Sequence, residues 1–287
     1  MLERNDPCFC GSGKKWKKCH YPKKPLIDQS EIYLKQYGIY LKNEKQIEKI
    51  MAACKLAASI LNVLCEHAKP GITTNELDKL SMEMHLKAKA KPAPLGYGRP
   101  PYPKSICTSI NDEICHGIPN ERPLEEGDIV NIDVTSILDG YFGDCSKMVI
   151  VGGKTTKERK RVVDTSYECL MKAIEICKPG VLLKEIGNVI EKIAAKNKCT
   201  VVDQFVGHGV GLGFHEPPQV CHHYNHSTLP LAPGMTFTIE PMINAGVKEA
   251  KLDNNQWTAR TLDGKASAQW EHTLLITLDG VEILTQE

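Results

Sequence analysis

The sequence predicts an α+β domain that consists of two similar halves, preceded by a short segment with three clustered cysteines. Two observations support the two halves: helices followed by strands occur twice along the chain, and short sequence blocks recur in both halves. A length of 287 residues is enough for one large domain and a small appendage. The hydrophobic content of 41% is typical of a globular protein with a buried core.

The first half begins with two predicted helices. Apolar side chains recur at helical spacing in residues 43–67, and Pro70-Gly71 ends this helix. Thr74 predicts the N-cap of a second helix, which runs to about Lys89.

Strands follow the helices. Residues 129–134 and 147–151 are rich in β-branched side chains and predict strands, with Asp139-Gly140 as the turn between them. The second half repeats this order, with helices over residues 157–177 and 182–197 and strands over residues 201–206, 236–243 and 272–278.

The two halves also share sequence. The block KPGITTNEL, which contains Pro70, aligns with KPGVLLKEI, which contains Pro179 109 positions later. The block EGDIVNID, which ends at Asp133, aligns with PGMTFTIE, which ends at Glu240 107 positions later. Two independent matches at nearly the same offset predict duplicated halves of a single domain.

Charge and composition exclude several classes of protein. The formal net charge is +1, so the chain as a whole has no field that would attract nucleic acid or a membrane. The sequence has no run of 18 apolar residues and no export signal, so we expect a cytoplasmic protein without membrane association. Nine scattered cysteines are then expected to be reduced: Cys54, Cys65, Cys107, Cys115, Cys145, Cys169, Cys177, Cys199 and Cys221.

Acidic residues stand at matched places in the two halves. Asp133 lies within the apolar strand NIDV, and Glu240 has the equivalent place in TIEP. Each half supplies a second acid in or near a neighbouring strand, Asp144 in the first and Glu271 in the second. One acid in a strand is usually solvated, but four that converge in a core repel one another and are costly to bury. Two divalent cations would neutralise them, so the pattern predicts an oxygen-rich dinuclear metal site.

Histidines in glycine-rich segments complete this candidate site. The segment GHGVGLGFHEP carries His208 and His215 among four glycines, in a loop directly after a predicted strand, and His116 lies in CHGIP. Glycine allows the backbone to approach a metal or substrate closely. Four carboxylates and one imidazole form a hard ligand set, which suits Mn(II), Fe(II) or Co(II) better than a thiolate zinc site does.

Four blocks are similar to the metal-binding blocks of type I methionine aminopeptidases: NIDVTSILDGYFGDCSKM, GHGVGLGFHEPPQV, PGMTFTIEPM and WEHTLLIT. The resemblance covers residues 40–287 and implies the pita-bread fold, in which two pseudo-symmetric halves have a curved antiparallel sheet inside and helices outside. It also implies hydrolytic removal of the N-terminal (initiator) methionine from nascent proteins and peptides, with preference for a small second residue. We expect the enzyme to be a monomer.

The same resemblance implies roles for the five ligand positions. Asp133 would hold the second metal, Asp144 and Glu271 would bridge the two metals, and His208 and Glu240 would hold the first. A hydroxide that bridges two divalent metals would then attack the first peptide bond, and Glu240 would also serve as general base.

Further positions are expected to contact the substrate. His116 and His215 would stabilise the oxyanion and the departing amide nitrogen. A pocket suited to an unbranched thioether would be formed by Tyr97, Tyr102, Cys107, Phe214 and Trp257. The sequence departs from the family's best-known bacterial form nearby: about two extra residues lie within residues 96–102, and Pro94 replaces a cysteine often found at the pocket wall. Methionine preference is expected to survive this change in pocket shape.

Residues 1–25 predict a zinc knuckle, followed by a linker over residues 26–39 and the catalytic domain over residues 40–287. Three thiolates and one imidazole form a Cys₃His structural zinc set: Cys8, Cys10, Cys19 and His20. The spacing is similar to the zinc knuckle at the C-terminus of the SecA export ATPase, with histidine in place of its usual last cysteine. A segment too short to bury a core needs the metal to fold.

The knuckle segment is also basic. Six lysines lie between Lys14 and Lys24, with Trp16 and Tyr21 among them. We expect the folded knuckle to dock the enzyme near the phosphate-rich ribosome, where nascent chains emerge. Two other interpretations stay open: a solvated charge run beside a zinc that protects the tail, and a partner protein with an acidic patch.

Three rival functions agree with only part of the sequence. Prolidase and aminopeptidase P share the expected fold but usually carry a sizeable extra N-terminal domain. A pita-bread protein that serves only as a binding module would lack ligands, whereas all five acidic or imidazole positions are present. A nucleic-acid-binding zinc protein would leave the matched carboxylates unexplained.

Overall fold

The computed structural model of the chain describes residues 3–6, 14–19 and 29–286. Its α-helices are α1 (Ser30–Tyr37), α2 (Glu44–His67), α3 (Thr74–Lys87), α4 (Lys157–Glu175) and α5 (Lys184–Lys196), with short 3₁₀ turns at Trp16–Lys18 and Val151–Gly153. In the described ranges, no helix has the length and apolar composition needed to cross a membrane.

The helices of the first half begin at strong caps. Asn43 and Gln46 form a reciprocal capping box at the start of α2, and Thr73 and Glu76 form another at the start of α3. The predicted cap of the second helix was therefore wrong by one position, because Thr73 has the extended backbone of a cap and Thr74 is already helical.

The strands run in chain order as follows: β1 (Lys91–Pro92), β2 (Cys107–Ile110), β3 (Glu113–Cys115), β4 (Ile129–Leu138), β5 (Tyr141–Ile150), β6 (Thr200–Val201), β7 (Gly207–Gly209), β8 (Glu216–Val220), β9 (Thr236–Ile239), β10 (Met242–Asn244), β11 (Ala250–Leu252), β12 (Ala259–Thr261), β13 (Ser267–Gln269), β14 (Glu271–Ile276) and β15 (Val281–Ile283).

Nine of these strands form one antiparallel sheet in the order β1-β4-β5-β14-β9-β7-β8, with β2 beside β4 and β15 beside β14. Two further sheets have three strands each, in the orders β13-β10-β6 and β11-β12-β3. The β4–β5 hairpin turns at Asp139 and Gly140, as predicted, and both residues have positive φ angles of 52° and 84°.

The two halves of the sequence form the two halves of the main sheet. Strands β1, β2, β4 and β5 lie on one side and β7, β8, β9, β14 and β15 on the other, so the halves meet at the β5–β14 pair. The same hydrogen bonds recur in both halves: Gly71 N donates to Leu124 O and Gly180 N donates to Leu231 O, each at 2.8 Å. The duplication predicted from sequence is therefore present in the backbone.

Each half packs its helices on the same face of the sheet. Ile132 and Val134 of β4 are fully buried in a cluster with α2 and α3, while α4 and α5 pack with Phe237 of β9 and Leu274 of β14. Burial of each such side chain contributes about 1.5–3 kcal/mol to folding. Successive residues of a strand point to opposite faces, so Asp133 and Thr135 face away from the helices.

Three local expectations were wrong. Helix α1 lies within the segment predicted as a linker, and its Tyr33 is only 5% exposed because it packs in the core and donates to Pro230 O. The strand predicted over residues 201–206 ends at Val201. The strand predicted over residues 236–243 is split at Glu240-Pro241, because β9 joins the main sheet and β10 joins a different sheet.

The N-terminal segments lie side by side. Trp16 N donates to Asp6 O at 2.8 Å and Lys17 N donates to Arg4 O at 3.0 Å, and the Trp16 side chain is 6% exposed. Of the four predicted zinc ligands, Cys19 is described and exposed. Cys8, Cys10 and His20 lie outside the described residues.

Candidate active site

A cavity of about 600 Å³ opens on the sheet face opposite the helices. All twelve residues predicted for catalysis, metal binding or substrate binding in the main domain line it: Tyr97, Tyr102, Cys107, His116, Asp133, Asp144, His208, Phe214, His215, Glu240, Trp257 and Glu271. Pro94, at the position where the sequence departs from the family, also lines it. Positions separated by up to 177 residues in sequence therefore meet in one site.

Strand register places the carboxylates on one face. Asp133 of β4 pairs with Ser146 of β5, and Ser146 pairs with Glu271 of β14. Directly opposite residues point to the same face of a sheet, and Asp144 joins them because it lies two residues before Ser146. The acids thus stand on three adjacent strands, two from the first half and one from the second.

Glu240 reaches the same site from the end of β9. Its carboxylate accepts hydrogen bonds from Thr238 Oγ1 at 2.7 Å and from Gln269 Nε2 at 3.0 Å. Its main-chain N–H donates to His222 Nε2 at 3.1 Å. The residue therefore stands where the chain passes from one sheet to another, with both its side chain and its backbone held.

The sequence predicted a loop at His208, but this residue lies within strand β7. Its Nδ1–H donates to Gly209 O at 3.0 Å, which leaves the Nε2 lone pair free to face the acids. Nε2 lies 3.7 Å from Asp144 Oδ2 and 3.5 Å from Glu240 Oε1. Burial lowers the pKa of His208 to about 3, with the nearby His215 adding to the effect, so the ring is neutral.

Three of the four carboxylates, Asp144, Glu240 and Glu271, are buried, and Asp133 is partly buried. In the described part of the chain, none of them forms an ion pair with a lysine or arginine. Burial raises the pKa of Asp144 to about 7, and burial together with the neighbouring acids raises the pKa values of Asp133, Glu240 and Glu271 well above normal. A cation bound among these groups would remove this repulsion.

The donor set fits a divalent metal ion. Asp144, His208 and Glu271 each present one ligand atom, and the three atoms lie within 4.8 Å of one another. Donor atoms that bind one cation at ~2.1 Å with octahedral angles are ~3 Å apart, so small side-chain movements suffice. Asp133 lies close enough to interact with this cluster, because burial and the charge of Asp144 both raise its pKa.

Two further histidines face the cavity from opposite walls. His116 follows β3 with a positive φ of 55°, and His215 stands 4.3 Å from His208 between ring centroids. Burial lowers the pKa of His116 to about 4, with His215 adding to the effect, and burial also lowers the pKa of His215. Both rings are therefore neutral hydrogen-bond donors near pH 7.

An aromatic wall closes the side of the cavity predicted to hold the substrate side chain. Tyr97 packs on Phe214 at 4.9 Å and Tyr102 packs edge-on against Trp257 at 5.2 Å. The backbone of Gly98, in the stretch with extra residues, lies against Trp257, since a Cβ there would come 2.5 Å from the indole ring. The extra residues therefore form part of the pocket.

Sequence reasoning missed eight lining residues: Thr135, Gln204, Phe205, Val206, Glu216, Pro217, Gln219 and Met242. Thr135 donates to Asp144 Oδ1 at 2.7 Å, and strand alternation from Asp133 was a signal that could have found it. Glu216, Pro217 and Gln219 lie within the glycine-rich block already quoted, whereas Gln204, Phe205, Val206 and Met242 have no such signal.

Comparison with known proteins gives consistent relatives. Residues 48–278 match the profile of "Metallopeptidase family M24", and residues 4–22 match the "SEC-C motif". The chain is 57% identical to "Methionine aminopeptidase" of Chlamydia trachomatis over 99% of both chains. It is 47% identical to "Methionine aminopeptidase 1" of Saccharomyces cerevisiae over 91% of this chain and 67% of that protein.

A solved structure has the same fold. The methionine aminopeptidase from Rickettsia prowazekii superposes with a TM-score of 0.83 at 46% identity, covering 86% of this chain and 100% of that one.

Proposed function

Because the chain belongs to metallopeptidase family M24, we propose that it hydrolyses the first peptide bond of nascent proteins and peptides and releases their N-terminal methionine. The observation that carries this proposal is the single cavity in which every residue predicted for this reaction meets. The similarity to methionine aminopeptidases over the whole chain favours this reaction over that of a prolidase. We also propose that the enzyme acts as a monomer.

Membership of a metallopeptidase family implies divalent metals, and five residues would hold two of them. Asp144 and Glu271 would contact both ions, Asp133 the second ion, and His208 and Glu240 the first. When bound, such ions polarise the scissile carbonyl and lower the pKa of a water toward ~7. The hard donor set suits Mn(II), Fe(II) or Co(II).

The protein's own groups then handle protons and charge. Glu240 accepts a proton from the attacking water, and its bonds from Thr238 and Gln269 hold it in place. His116 and His215, both neutral at pH 7, donate hydrogen bonds to the developing oxyanion and to the departing amide nitrogen.

The aromatic wall would select the side chain of the first residue. Tyr97, Tyr102, Phe214 and Trp257, with the Cys107 thiol, line a space suited to an unbranched thioether. We propose that the cavity accepts a second residue only when it is small, such as Gly, Ala or Ser.

The test combines metal analysis with cleavage of Met-Ala-Ser by the purified protein loaded with Mn(II) or Co(II). Peptides that begin with Leu or Pro, and Met-Leu-Ser with a large second residue, serve as matched substrates. Equal cleavage of Leu-Ala-Ser and Met-Ala-Ser would overturn the proposed specificity. Full activity in the metal-free protein would overturn the metal-dependent reaction.

We also propose that residues 1–25 bind one structural zinc through Cys8, Cys10, Cys19 and His20 and dock the enzyme at the ribosome. The match to the SEC-C motif supports the ligand set. The side-by-side segments support a compact unit with exposed Lys14, Lys15, Lys17 and Lys18. Such a basic surface is attracted to phosphate-rich partners.

A further inference from the structure

A buried ion pair lies beside the cavity and takes no part in the proposed chemistry. Lys42 Nζ lies 2.8 Å from Glu216 Oε2, and the two side chains are only 1% and 11% exposed. Burial lowers the pKa of Lys42, and Glu216 opposes that change. Desolvation of the two charges makes such a pair costly, so its contribution to stability alone does not explain its presence.

The other carboxylate oxygen of Glu216 holds the backbone of the connection between β7 and β8. Oε1 accepts the main-chain N–H of Leu212 at 2.5 Å and that of Gly213 at 2.7 Å. Two backbone donors on one carboxylate oxygen fix the path of this segment, because both peptide planes must face the same point. The next two residues are Phe214 and His215, which both line the cavity.

The start of this connection is held independently. Gly211 O accepts the N–H of Phe142 at 3.0 Å. Gly211 has φ +133° and lies close to Ile50 of α2, since a Cβ there would come 2.5 Å from that side chain. Between Gly211 and β8, the two hydrogen bonds to Glu216 act beside one from Gly211 N to Gly213 O at 3.1 Å, and together they restrain the backbone that leads to His215.

Lys42 lies outside the cavity. The residue precedes α2 in the chain. Its backbone N–H donates to Gly234 O at 2.8 Å, so its main chain is attached to the second half of the domain. The Lys42 ammonium lies 2.8 Å from one oxygen of Glu216, and the two amide N–H groups bind the other oxygen. Hydrogen bonds to a charged acceptor are stronger than those between neutral groups.

We propose that Lys42 and Glu216 form a positioning pair that fixes residues 211–215 and thereby aims His215 at the substrate. The pair acts through His215: the Glu216 side chain is hydrogen-bonded to Lys42, Leu212 and Gly213, and none of these is a proposed metal ligand. The activity readout of this inference rests on the proposed function, whereas its structural readout does not.

The kinetic test compares Glu216→Gln in two backgrounds of the full-length, metal-loaded protein. In the wild-type background the variant lowers kcat on the order of 10- to 100-fold, as for other outer hydrogen-bond partners, with KM and metal content little changed. In a His215→Ala background the same substitution has no further effect on kcat. An equal loss in both backgrounds, or loss of metal, would overturn the proposal.

A second measurement works whether or not the protein cleaves Met-Ala-Ser. Hydrogen exchange of the Leu212 and Gly213 amides is expected to accelerate in Glu216→Gln, because their acceptor is weakened. Glu175→Gln, which breaks the exposed pair with Lys172 on α4, is the matched control and leaves these amides unchanged. Unchanged exchange of these amides in Glu216→Gln would refute the positioning role of the pair. If the wild-type protein does not cleave Met-Ala-Ser, the proposed function is refuted instead.

A single substitution in the pair leaves one unpaired buried charge, which could lower activity by destabilising the fold. A Lys42→Met, Glu216→Gln double variant controls for this effect. Its thermal stability is expected to lie closer to that of the wild type than that of Lys42→Met alone, since neither buried charge remains. Its kcat stays as low as that of Glu216→Gln. Recovery of full activity in the double variant would show that Glu216 matters only for stability and would overturn the positioning role.

Discussion

His208 Nε2 lies 3.5 Å from Glu240 Oε1, and one hydroxyl connects the two residues a second time: Thr238 Oγ1 accepts the His208 N–H and donates to the Glu240 carboxylate. Thr238 therefore links the His208 main chain to the Glu240 carboxylate and limits how far the two proposed ligands can move apart. Such preorganisation is what a metal site requires of its ligands.

Loss of a proposed ligand is expected to abolish activity. His208→Ala or Asp144→Asn lowers kcat/KM by more than about 100-fold, which exceeds the usual effect of an outer hydrogen-bond partner. Peptide cleavage and bound-metal stoichiometry are measured under saturating Mn(II) or Co(II). His226→Ala, at an exposed histidine outside the cavity, serves as control. Retention of half the activity in either ligand variant would remove that residue from the site.

His116→Ala separates substrate contact from metal binding. Removal of one oxyanion donor lowers kcat on the order of 100-fold. Metal content stays at the wild-type value, because His116 lies on the substrate wall and outside the cluster of ligand atoms. Elemental analysis alongside kinetics checks both points. Loss of one metal equivalent would assign His116 to the metals instead.

The stabilisation by metal is expected to grow as pH rises. The pKa of Asp144 rises from 3.8 to about 7 in the folded metal-free protein, so between these values the folded state holds a proton that the unfolded chain has released. Asp144 therefore contributes a loss of stability to the metal-free protein as pH rises through this window, and metal binding, which displaces the proton, removes that loss.

Thermal unfolding of metal-free and Mn(II)-loaded protein at pH 5.0 and 7.5 measures this effect. The difference in Tm widens at pH 7.5, with each kcal/mol giving about 2–4 °C. His208 does not offset it, because a pKa of about 3 leaves the ring neutral at both pH values. Asp144→Asn is expected to reduce the widening, and a difference in Tm that does not depend on pH would contradict the charge-repulsion account.

Two glycines in the pocket insertion provide a matched pair of substitutions. Gly98→Ala drives a Cβ into the Trp257 ring and should raise KM for Met-Ala-Ser several-fold, on the order of the ~1–3 kcal/mol of one pocket contact. Gly96→Ala has a similar positive φ but meets nothing within 4 Å, so it carries the backbone strain alone. Equal KM values for the two variants would show that Trp257 does not shape the pocket.

Truncation tests the N-terminal segment. A chain that starts at Gln29 is expected to cleave Met-Ala-Ser at close to the full-length rate yet co-sediment less with ribosomes, and the difference shrinks as salt rises. Zinc analysis of the full-length protein against this truncation checks the structural metal. Ribosome binding that survives truncation unchanged would refute the docking role.

A second truncation shows why the boundary matters. A start at Tyr40 also removes α1, whose Tyr33 is buried and bonded to Pro230 O, and the buried Ile39. Loss of these two side chains at ~2–5 kcal/mol each lowers Tm by about 10 °C or more. Lower activity of this shorter chain would then reflect the catalytic fold and not the knuckle.

Much of the site was predictable from sequence, because its residues lie in blocks with their own signatures. Asp133 and Glu240 occupy matched positions of a repeat, and His208 and His215 stand among glycines. Their convergence follows from strand register, which an alternating pattern specifies well.

Other features had no local signal. Lys42 and Glu216 are 174 residues apart, and nothing near either residue indicates a partner. Helix α1 has only eight residues, too few for a clear periodicity, and is stabilised by the tertiary packing of Tyr33. The split between β9 and β10 depends on which sheet each strand joins, a choice that only the assembled fold determines.

Because the two halves of the chain meet at the β5–β14 pair, catalytic activity requires that both halves assemble. Asp133 and Asp144 come from one half of the chain, and His208, Glu240 and Glu271 come from the other. A fragment that ended after β5 would carry two of the five groups, and its complement would carry three. Neither fragment contains the site, so activity recovered on mixing separately produced halves would measure how well the ancestral repeats still recognise each other.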